Sequence, residues 1–481
     1  MNGFVNAVVS DVTKSKKDAR TANGALTRST SGKTALDLFA IIGAARKAPQ
    51  DAVSLFSKAY AEDKNLALRV ALWARDVRGG AGEREVFRQI LKNLETSDPI
   101  TLQKLVGYVP EFGRVDDVLD TLDVNSKAFE IYAEMVYTAI KQGNGLAAKW
   151  CPRKTHVAVK LRSLWNMSPK EYRKFLVHNT NVVETAMCQK DWDNIDFSKL
   201  PSLAGLRYQA AFGKHSPVKY ANYKNALVKG DAKINVGTLF PHNIITNVRT
   251  GNADVVVLAE QWKRLPDYLG ENSGKVLVMS DVSGSMGVNI GGSVAAIDVS
   301  IALGLYTSER LKGVFKDVVL TFSSQPSFHK VTGNTIVERY RNLNSARWDM
   351  STDLQAAFEL VLNTAVKNKV SQEDMPETIV VISDMEFNAC TRDITNYGGI
   401  KSQYKAAGYN LPRFVFWNVN GRGGNNPVKF DANDTCMISG FSPAILESVL
   451  GGNLDDFTPM NVMLETVGKS RYDVVDSILA S

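Results

Sequence analysis

The sequence predicts a mixed protein, in which an α-helical repeat module over residues 1–270 is followed by a doubly wound α/β domain over residues 271–481. Amphipathic stretches at helical spacing fill the first part, whereas continuous apolar runs of strand length mark the second. Residues 1–270 hold 39 basic and 27 acidic residues, a net +12, and the remainder holds 18 and 23, a net −5. The basic excess, which favours a polyanionic partner, therefore belongs to the helical module.

Apolar side chains at helical spacing mark the first helices of the module. Three such stripes are Ala52, Val53, Phe56, Ala59 and Tyr60, then Leu66, Val70, Trp73 and Val77, then Val86, Phe87, Ile90, Leu91 and Leu94. Glycine-containing breakers at 76–84, 109–114 and 141–145 separate such stretches, as is typical of antiparallel helix pairs stacked side by side. No strict period repeats, so the sequence predicts a degenerate HEAT-like array.

Apolar runs begin after residue 274. KVLVMSD at 275–281, DVVLTF at 317–322, TIVVISD at 378–384 and RFVFWNV at 413–419 have the length of strands, and helical segments stand between them. Buried runs that alternate with helices predict a doubly wound, mostly parallel sheet. Ligands of such sheets bind at the carboxyl ends of the strands.

Composition and processing signals point to a folded cytoplasmic protein. The chain is 44% hydrophobic, and no apolar run reaches the roughly 18 residues that a membrane span needs. The N-terminus does not match a signal peptide. Four cysteines stand without a CxxC pair, so we expect neither a zinc site nor a disulfide-linked partner.

Oxygen donors cluster at the predicted strand ends. Asp281, Ser283 and Ser285 follow the first strand at alternate positions, Thr352 lies in a later loop, and Asp384 ends another strand. Hard oxygen ligands suit Mg²⁺ or Mn²⁺. The alternative is a polar turn, since serine and glycine abound in turns, but the threonine and the second aspartate in this order favour a metal site.

These five positions resemble the metal-ion-dependent adhesion site of von Willebrand factor A domains. The resemblance implies that Ser283, Ser285 and Thr352 bind the ion directly or through water, and that Asp281 and Asp384 act through water. It also implies an open coordination position for a carboxylate of an acidic protein partner.

The chain as a whole resembles the Ro autoantigen family, whose members join a TROVE-type helical-repeat module to a von Willebrand A domain. The motifs that carry this resemblance are NGALTRSTSGKTALDLFAIIGAAR, WARDVRGGAGER, VPEFGRVDDVL, AAKWCPR and the late FVFWNV and CMISGFSPAILESVL. The resemblance implies a TROVE-like module over 1–270 that closes into a ring and an A domain over 271–481. Ro proteins bind RNA through such a ring, but for this chain RNA as the partner has to be argued from the basic residues of the module. The likeness is nearest to less studied members, which also occur in viruses and phages.

Basic residues concentrate between residues 141 and 233, where 17 basic and 6 acidic residues give a net +11. The predicted RNA-binding side chains are Arg75, Arg78, Arg84, Lys149, Arg153, Lys154, Lys160, Arg162, Arg173, Lys174, Lys214, His215 and Lys219. Several are interleaved with Trp150, Trp165, Tyr172 and Phe175, a mixture typical of single-strand binders.

Each part of this basic set has an ordinary structural alternative. Aromatic residues at such spacing are more often core, and a basic run is often only a solvated face. Arg75, Arg78 and Arg84 flank a glycine loop, where they would either bind phosphate or pair with Asp76 and Glu83 to brace a helix junction.

Two functions follow from these patterns. The first is a non-enzymatic RNA-binding protein of Ro type with a metal-binding A domain. The second is a structural or assembly protein, of cellular or viral origin, that docks another protein through the metal without RNA. Neither a nucleophile elbow nor paired catalytic glutamates stand in the sequence. Glu386 is the one acidic residue close to the metal motif that a base would require, and we interpret it as a loop cap or as a residue that orients the metal ligands.

Overall fold

The computed structural model describes residues 18–251, 254–270, 275–322, 325–346, 353–388, 396–450 and 457–480. Its chain forms two compact units, each assembled from separated segments. The sheet unit takes the described residues up to Val70 together with Phe240–Arg249 and Asp267–Lys469. The helical unit takes Ala71–Leu239, Thr250–Pro266 and the described residues from Ser470 onward.

The described residues of the sheet unit form ten strands. In chain order they are β1 Asp18–Arg20, β2 Leu26–Arg28, β3 Val276–Asp281, β4 Asn289–Gly291, β5 Val294–Ala295, β6 Val318–Phe322, β7 Phe328–Lys330, β8 Thr378–Ser383, β9 Arg413–Asn418 and β10 Thr435–Ser439. Six of them form one sheet in the order β10-β9-β8-β3-β6-β7, while β1 pairs with β2 and β4 with β5 as antiparallel hairpins.

The six-stranded sheet is parallel except for the antiparallel edge strand β7. Every residue of the central strands β3 and β8 is buried, which explains why both segments are almost wholly apolar rather than alternating. The four predicted strand segments are confirmed. This strand order is that of a doubly wound α/β sheet, as the alternation of apolar runs and helices predicts.

The sheet unit also contains α-helices. Those with most of their length in the sheet unit are Thr34–Ile42, Pro49–Glu62, Lys64–Arg75, Pro241–Thr250, Ala296–Arg310, Ile336–Asn344, Leu354–Asn368, Asn396–Ala406, Leu446–Leu450 and Pro459–Val467. Short 3-10 helices occur in both units, at Val106–Tyr108, Trp192–Asn194, Phe197–Lys199, Gly284–Gly287, Gly313–Phe315, Gln372–Asp374, Pro443–Ile445 and Ser470–Tyr472.

The structure divides the chain differently from the predicted boundary at residue 270. The N-terminal helix Thr34–Ile42 is buried from Ala35 onward and belongs to the sheet unit. Ser439 of β10 donates its hydroxyl hydrogen to the Phe39 carbonyl (2.8 Å) and accepts one from the Gly43 amide (3.0 Å). A helix that is apolar on every side needs burial all round, and the edge strand of the sheet provides it.

The helical unit is built from short helices and small aromatic cores. Its helices are Glu85–Ser97, Pro99–Leu105, Val109–Phe112, Asp116–Leu119, Lys127–Lys141, Gly145–Trp150, His156–Leu164, Pro169–Asn179, Val183–Cys188, Ser202–Arg207, Gln209–His215, Pro217–Lys229, Val255–Lys263 and Val474–Ala480. One core joins Phe197, Phe212, Tyr220 and Val257. The prediction of a helical region before an α/β region is confirmed, and the HEAT-like repeat and the closed ring remain predictions.

Two further features bear on the sequence predictions. No helix within the described ranges is long and apolar enough to cross a lipid bilayer. Cys151, Cys188 and Cys436 carry free thiols, whereas Cys390 lies outside the described residues.

Candidate metal centre and basic surface

The carboxyl ends of β3 and β8 form the point where the sheet reverses its winding. From β3 the chain crosses to β6 on one side, whereas from β8 it crosses to β9 on the other side. Such a switch point leaves a crevice between the two neighbouring strand ends, where doubly wound sheets bind their ligands. Asp281 is the last residue of β3, and Asp384 directly follows β8, so both aspartates stand at this crevice.

Asp281 is fully buried and held from two sides. Its Oδ1 accepts a hydrogen bond from the Ser283 amide (2.9 Å), and its Oδ2 accepts one from the Ser383 hydroxyl (2.6 Å). The Ser383 Oγ in turn accepts a hydrogen bond from the Met385 amide (3.1 Å). The carboxylate therefore has a defined orientation before any ligand binds.

Asp384 lies beside it and is only 4% exposed. Its Oδ1 accepts a hydrogen bond from the Glu386 amide (3.2 Å), and the Ser285 side chain is a second donor. The hydroxyls of Ser283 and Ser285 lie 3.0 Å apart. Ser283 is buried and Ser285 is exposed, so the cluster opens to solvent at Ser285.

Electrostatics disfavours two ionised carboxylates here without a cation. Burial raises the pKa of Asp281 to about 7, and repulsion by Asp384 adds to the rise. Burial also raises the pKa of Asp384, against the hydrogen bonds from Glu386 and Ser285. Within the part of the chain that the structure describes, neither carboxylate has a lysine, arginine or histidine as an ion-pair partner. The positive charge of Arg422 adds to the hydrogen bonds in favouring the charged form of Asp384.

The donor set fits a hard divalent cation. Four of the predicted oxygen ligands, from Asp281, Ser283, Ser285 and Asp384, are brought to one cluster, and the fifth residue, Thr352, lies outside the described residues. Within the described ranges no three His, Cys, Asp or Glu side chains come together as a metal-binding group.

Sequence reasoning missed two residues of this cluster, Ser383 and Met385. Ser383 links the two strand ends, since it bonds Asp281 on one side and the chain after Asp384 on the other. Met385 is buried and has a φ of 64°, in the left-handed region that a methionine adopts only when its surroundings hold it there. The serine before the aspartate in VVISD is the one signal that would have pointed to Ser383.

Of the three arginines around the RGGAGER loop, one is buried in an ion pair and two are exposed. Arg75 is 1% exposed, and its Nη2 lies 2.6 Å from the Asp117 Oδ2. The prediction that Arg75 binds RNA is therefore wrong, because its guanidinium is buried in an ion pair and cannot contact a phosphate. The bracing role is right in kind, although the partner is Asp117 rather than Asp76 or Glu83. Arg78 and Arg84 are exposed, and Arg78 donates to the Glu111 carbonyl.

Three of the predicted RNA-binding lysines are already engaged by protein groups. Lys149 pairs with Glu184 (2.6 Å) and Lys160 with Glu130 (3.2 Å). The Lys219 ammonium donates to the carbonyls of Asp193 and Ile195. Each is only half exposed, so an RNA phosphate would have to compete with these partners.

The other predicted side chains lie at the surface of the helical unit. Arg153 and Arg173 are exposed and, among the described residues, bond to nearby carbonyls and a threonine hydroxyl. Lys154, Lys174 and Lys214 are exposed and have no ion-pair partner within the described chain, and Arg162 is half exposed. The exposed His215 ring stacks on Trp192, with centroids 4.5 Å apart and planes at 12°.

The aromatic residues between these cations are mainly core. Trp165 and Tyr172 are buried, and their ring centroids lie 5.6 Å apart. The Trp165 indole donates to the Ala133 carbonyl (3.2 Å) and the Tyr172 hydroxyl to the Pro152 carbonyl (2.8 Å). Trp150 is half exposed, but the Arg114 guanidinium lies over its ring at 3.5 Å. The expectation that aromatic residues at this spacing belong to the core is therefore confirmed for Trp165 and Tyr172.

Two family models match the chain. Residues 275–473 match a domain of unknown function, DUF7788, and residues 21–110 and 153–275 match another domain of unknown function, DUF2828. The first match spans both strand ends of the candidate metal centre, and the second spans most of the basic stretch.

Two individual proteins are also similar. An uncharacterized protein of Acanthamoeba polyphaga mimivirus is 27% identical to this chain, in an alignment that covers 93% of this chain and 86% of that protein. The crystal structure of the Ro (RSR) protein of Deinococcus radiodurans is similar over 91% of this chain and 99% of that one, at 13% identity and a TM-score of 0.37. A TM-score this low does not establish a shared fold.

Proposed function

We propose that this protein is a non-enzymatic RNA-binding protein of Ro type. Its helical unit binds RNA phosphates, and its sheet unit holds Mg²⁺ or Mn²⁺ through Asp281, Ser283, Ser285, Thr352 and Asp384. The observation that carries the RNA-binding half is the net +11 of residues 141–233, combined with the exposure of Lys154, Lys174 and Lys214.

Polyanion binding follows from the physics of exposed cations. Lysines without ion-pair partners can neutralise phosphates without first breaking an internal contact, and each neutralised phosphate releases condensed counterions. Contacts of this kind carry no base information, so we expect affinity for single-stranded RNA with little sequence preference from these residues. Stacking would come from Trp192 and His215, since His215 is exposed.

The triple substitution Lys154→Glu/Lys174→Glu/Lys214→Glu is expected to weaken binding of single-stranded RNA at least tenfold. The dependence of log affinity on log salt should become shallower by roughly 2, because each lost phosphate contact removes about 0.7 from the slope. Filter binding across a salt series measures both quantities.

The matched control makes the same change of charge in the sheet unit, as Lys367→Glu/Lys401→Glu/Lys405→Glu, where all three lysines are exposed. We expect its affinity to stay within about twofold of wild type at physiological salt, where the Debye length is about 8 Å. An equal loss in both variants would show that only overall charge matters. Flat salt dependence of the wild type would contradict RNA phosphate binding altogether.

The metal half of the proposal rests on the buried carboxylate pair. When bound, the ion supplies positive charge against Asp281 and Asp384 and an open position for a carboxylate of another protein. Asp281 is oriented by Ser383 and Ser283, while the exposed Ser285 stands at the mouth of the cluster.

Ser285→Ala is expected to weaken Mn²⁺ binding about tenfold, since it removes one oxygen donor and leaves both carboxylates in place. Isothermal titration of the full chain measures the change. Ser402→Ala is the matched control, because Ser402 is also an exposed serine of the sheet unit and donates only to the Gly398 carbonyl. Unchanged affinity in Ser285→Ala would exclude its hydroxyl as a ligand.

A second function, metal-dependent docking in a structural or assembly protein, is favoured by the exposed edge of the metal cluster and by the mimivirus relative. Purification from lysate without nuclease separates the two. Nucleic acid that copurifies, seen as a raised ratio of absorbance at 260 nm to that at 280 nm, supports RNA binding. Protein free of nucleic acid but associated with particles supports docking.

A further inference from the structure

We infer that the N-terminal hairpin β1–β2 is a clamp that holds the loop after β8 in its metal-binding conformation. Thr21 and Asn23 are then positioning residues of the metal centre, which they reach through bonds to residues more than 350 positions away in sequence. This inference rests on the proposed metal site and adds to it a segment that supplies no ligand.

The hairpin bonds to three consecutive residues that follow Asp384. The Ala22 amide donates to the Glu386 carboxylate, and the Asn23 side-chain amide donates to the Glu386 carbonyl (2.6 Å). The Thr21 hydroxyl donates to the Phe387 carbonyl (2.6 Å). Gly24 forms an isolated antiparallel β-bridge with Asn388. Its φ of 88° lies in the left-handed region, which glycine adopts at no steric cost.

The second strand of the hairpin, β2, contacts the same loop indirectly, through Asn425 and Asn426, which follow β9. Arg28 and Asn426 exchange two backbone hydrogen bonds, of 3.1 and 2.9 Å. The Thr27 hydroxyl lies 2.9 Å from the Asn425 Oδ1, and the Asn425 amide group donates to the Met385 carbonyl (3.0 Å). Met385 is thus held from this side by its carbonyl.

Met385 connects these contacts to the proposed metal site, formed by Asp281, Ser283, Ser285 and Asp384 among the described residues. Its amide donates to the Ser383 Oγ, which donates to the Asp281 carboxylate. Its left-handed backbone is unfavourable for a methionine and persists only when neighbouring contacts determine it. The bonds from the hairpin and from Asn425 are such contacts, so their loss would let the chain at Asp384 leave the position beside Asp281.

The role of Glu386 follows from the same contacts. Its carboxylate accepts the Ala22 amide, so it acts as an anchor for the hairpin rather than as a general base at the metal centre. Thr21 is buried within this contact, whereas Asn23 is exposed, which makes Asn23 the side chain whose removal least disturbs folding.

The test measures Mn²⁺ affinity of the full chain by isothermal titration in Asn23→Ala and in Thr21→Val. We expect each to weaken binding about threefold to tenfold, the effect of one lost hydrogen bond to the loop. Thr21→Val also removes the acceptor of the Ala25 amide hydrogen within the hairpin. Thr21→Ser keeps the hydroxyl and should restore wild-type affinity. Asn368→Ala is the matched control, since Asn368 is also exposed and donates its amide to a carbonyl, that of Thr364, away from the metal cluster.

Hydrogen exchange of the metal-free protein gives a second readout that needs no ion. Amides of 384–388 should exchange faster in Asn23→Ala than in wild type or Asn368→Ala, while the thermal midpoint stays unchanged. Mn²⁺ affinity and exchange both equal to wild type in Asn23→Ala would overturn the clamp and leave the metal site standing. A wild type that binds no Mn²⁺ would overturn the proposed metal site, and the positioning role with it.

Discussion

Asp281→Asn is expected to bind no Mn²⁺ and to be at least as stable as wild type when metal is absent. The wild type buries two carboxylates side by side, and repulsion between them opposes folding unless a cation or a proton intervenes. An asparagine amide keeps the shape of the side chain. It can accept the Ser283 amide hydrogen and donate to the Ser383 Oγ in place of the present bonds.

Mn²⁺ should therefore raise the free energy of unfolding of the wild type but not that of Asp281→Asn. At a free concentration of 100 times the dissociation constant, a ligand that binds only the folded state adds about 2.7 kcal/mol to the free energy of unfolding. We expect this gain in wild type and none in Asp281→Asn. Urea denaturation with and without Mn²⁺ measures it, with chelator addition to reverse the gain.

The control for this prediction is Asp374→Asn, which alters an exposed carboxylate that accepts the Ser371 hydroxyl hydrogen in the same unit. It should keep the full stabilisation by Mn²⁺. If Asp281→Asn were stabilised as much as wild type, the metal would bind elsewhere. RNA affinity of Asp281→Asn should stay within about twofold of wild type, and a tenfold loss, a coupling of about 1.4 kcal/mol, would mean that the metal controls the RNA-binding unit.

Arg75→Ala is expected to lower the free energy of unfolding by about 3–5 kcal/mol, the cost of breaking a buried ion pair from one side. Asp117 is fully buried, and it binds Arg75 through both the Nε and the Nη2, at 2.6 Å each. Arg88 and the Arg114 amide also bond to Asp117 but cannot fill the space that the Arg75 side chain leaves. Urea denaturation of the full chain measures the loss.

Arg84→Ala is the matched control, because it removes the same charge from the same loop at an exposed position. We expect its stability to lie within about 0.5 kcal/mol of wild type. A loss below 1 kcal/mol in Arg75→Ala would show that the Asp117 carboxylate is compensated by its other partners. RNA affinity measured at a temperature where Arg75→Ala is folded should match wild type, since a buried guanidinium cannot reach phosphate.

Local pattern was enough to predict the strands and the convergence of the oxygen donors at the strand ends. The runs around Val278 and Val380 are apolar because both faces of a central parallel strand are covered, and this is visible in a few consecutive residues. Asp281 and Asp384 could be placed together because parallel strands end at one edge of a sheet. The charge of residues 141–233 is likewise a property of the sequence alone.

Only the tertiary structure decided which side chains are available and which segments belong together. Arg75 reads as a surface cation in sequence, but its exposure depends on Asp117, 42 residues away, and the Trp165 and Tyr172 rings likewise prove to be core. The N-terminal helix joins the sheet through a bond between Phe39 and Ser439, 400 residues apart. Contacts between residues so far apart in sequence cannot be predicted from hydrophobic periodicity, because packing across the fold decides which side chains are buried and which groups they bond. The sequence therefore determined the strands, the charge and the oxygen donors, and folding determined their accessibility.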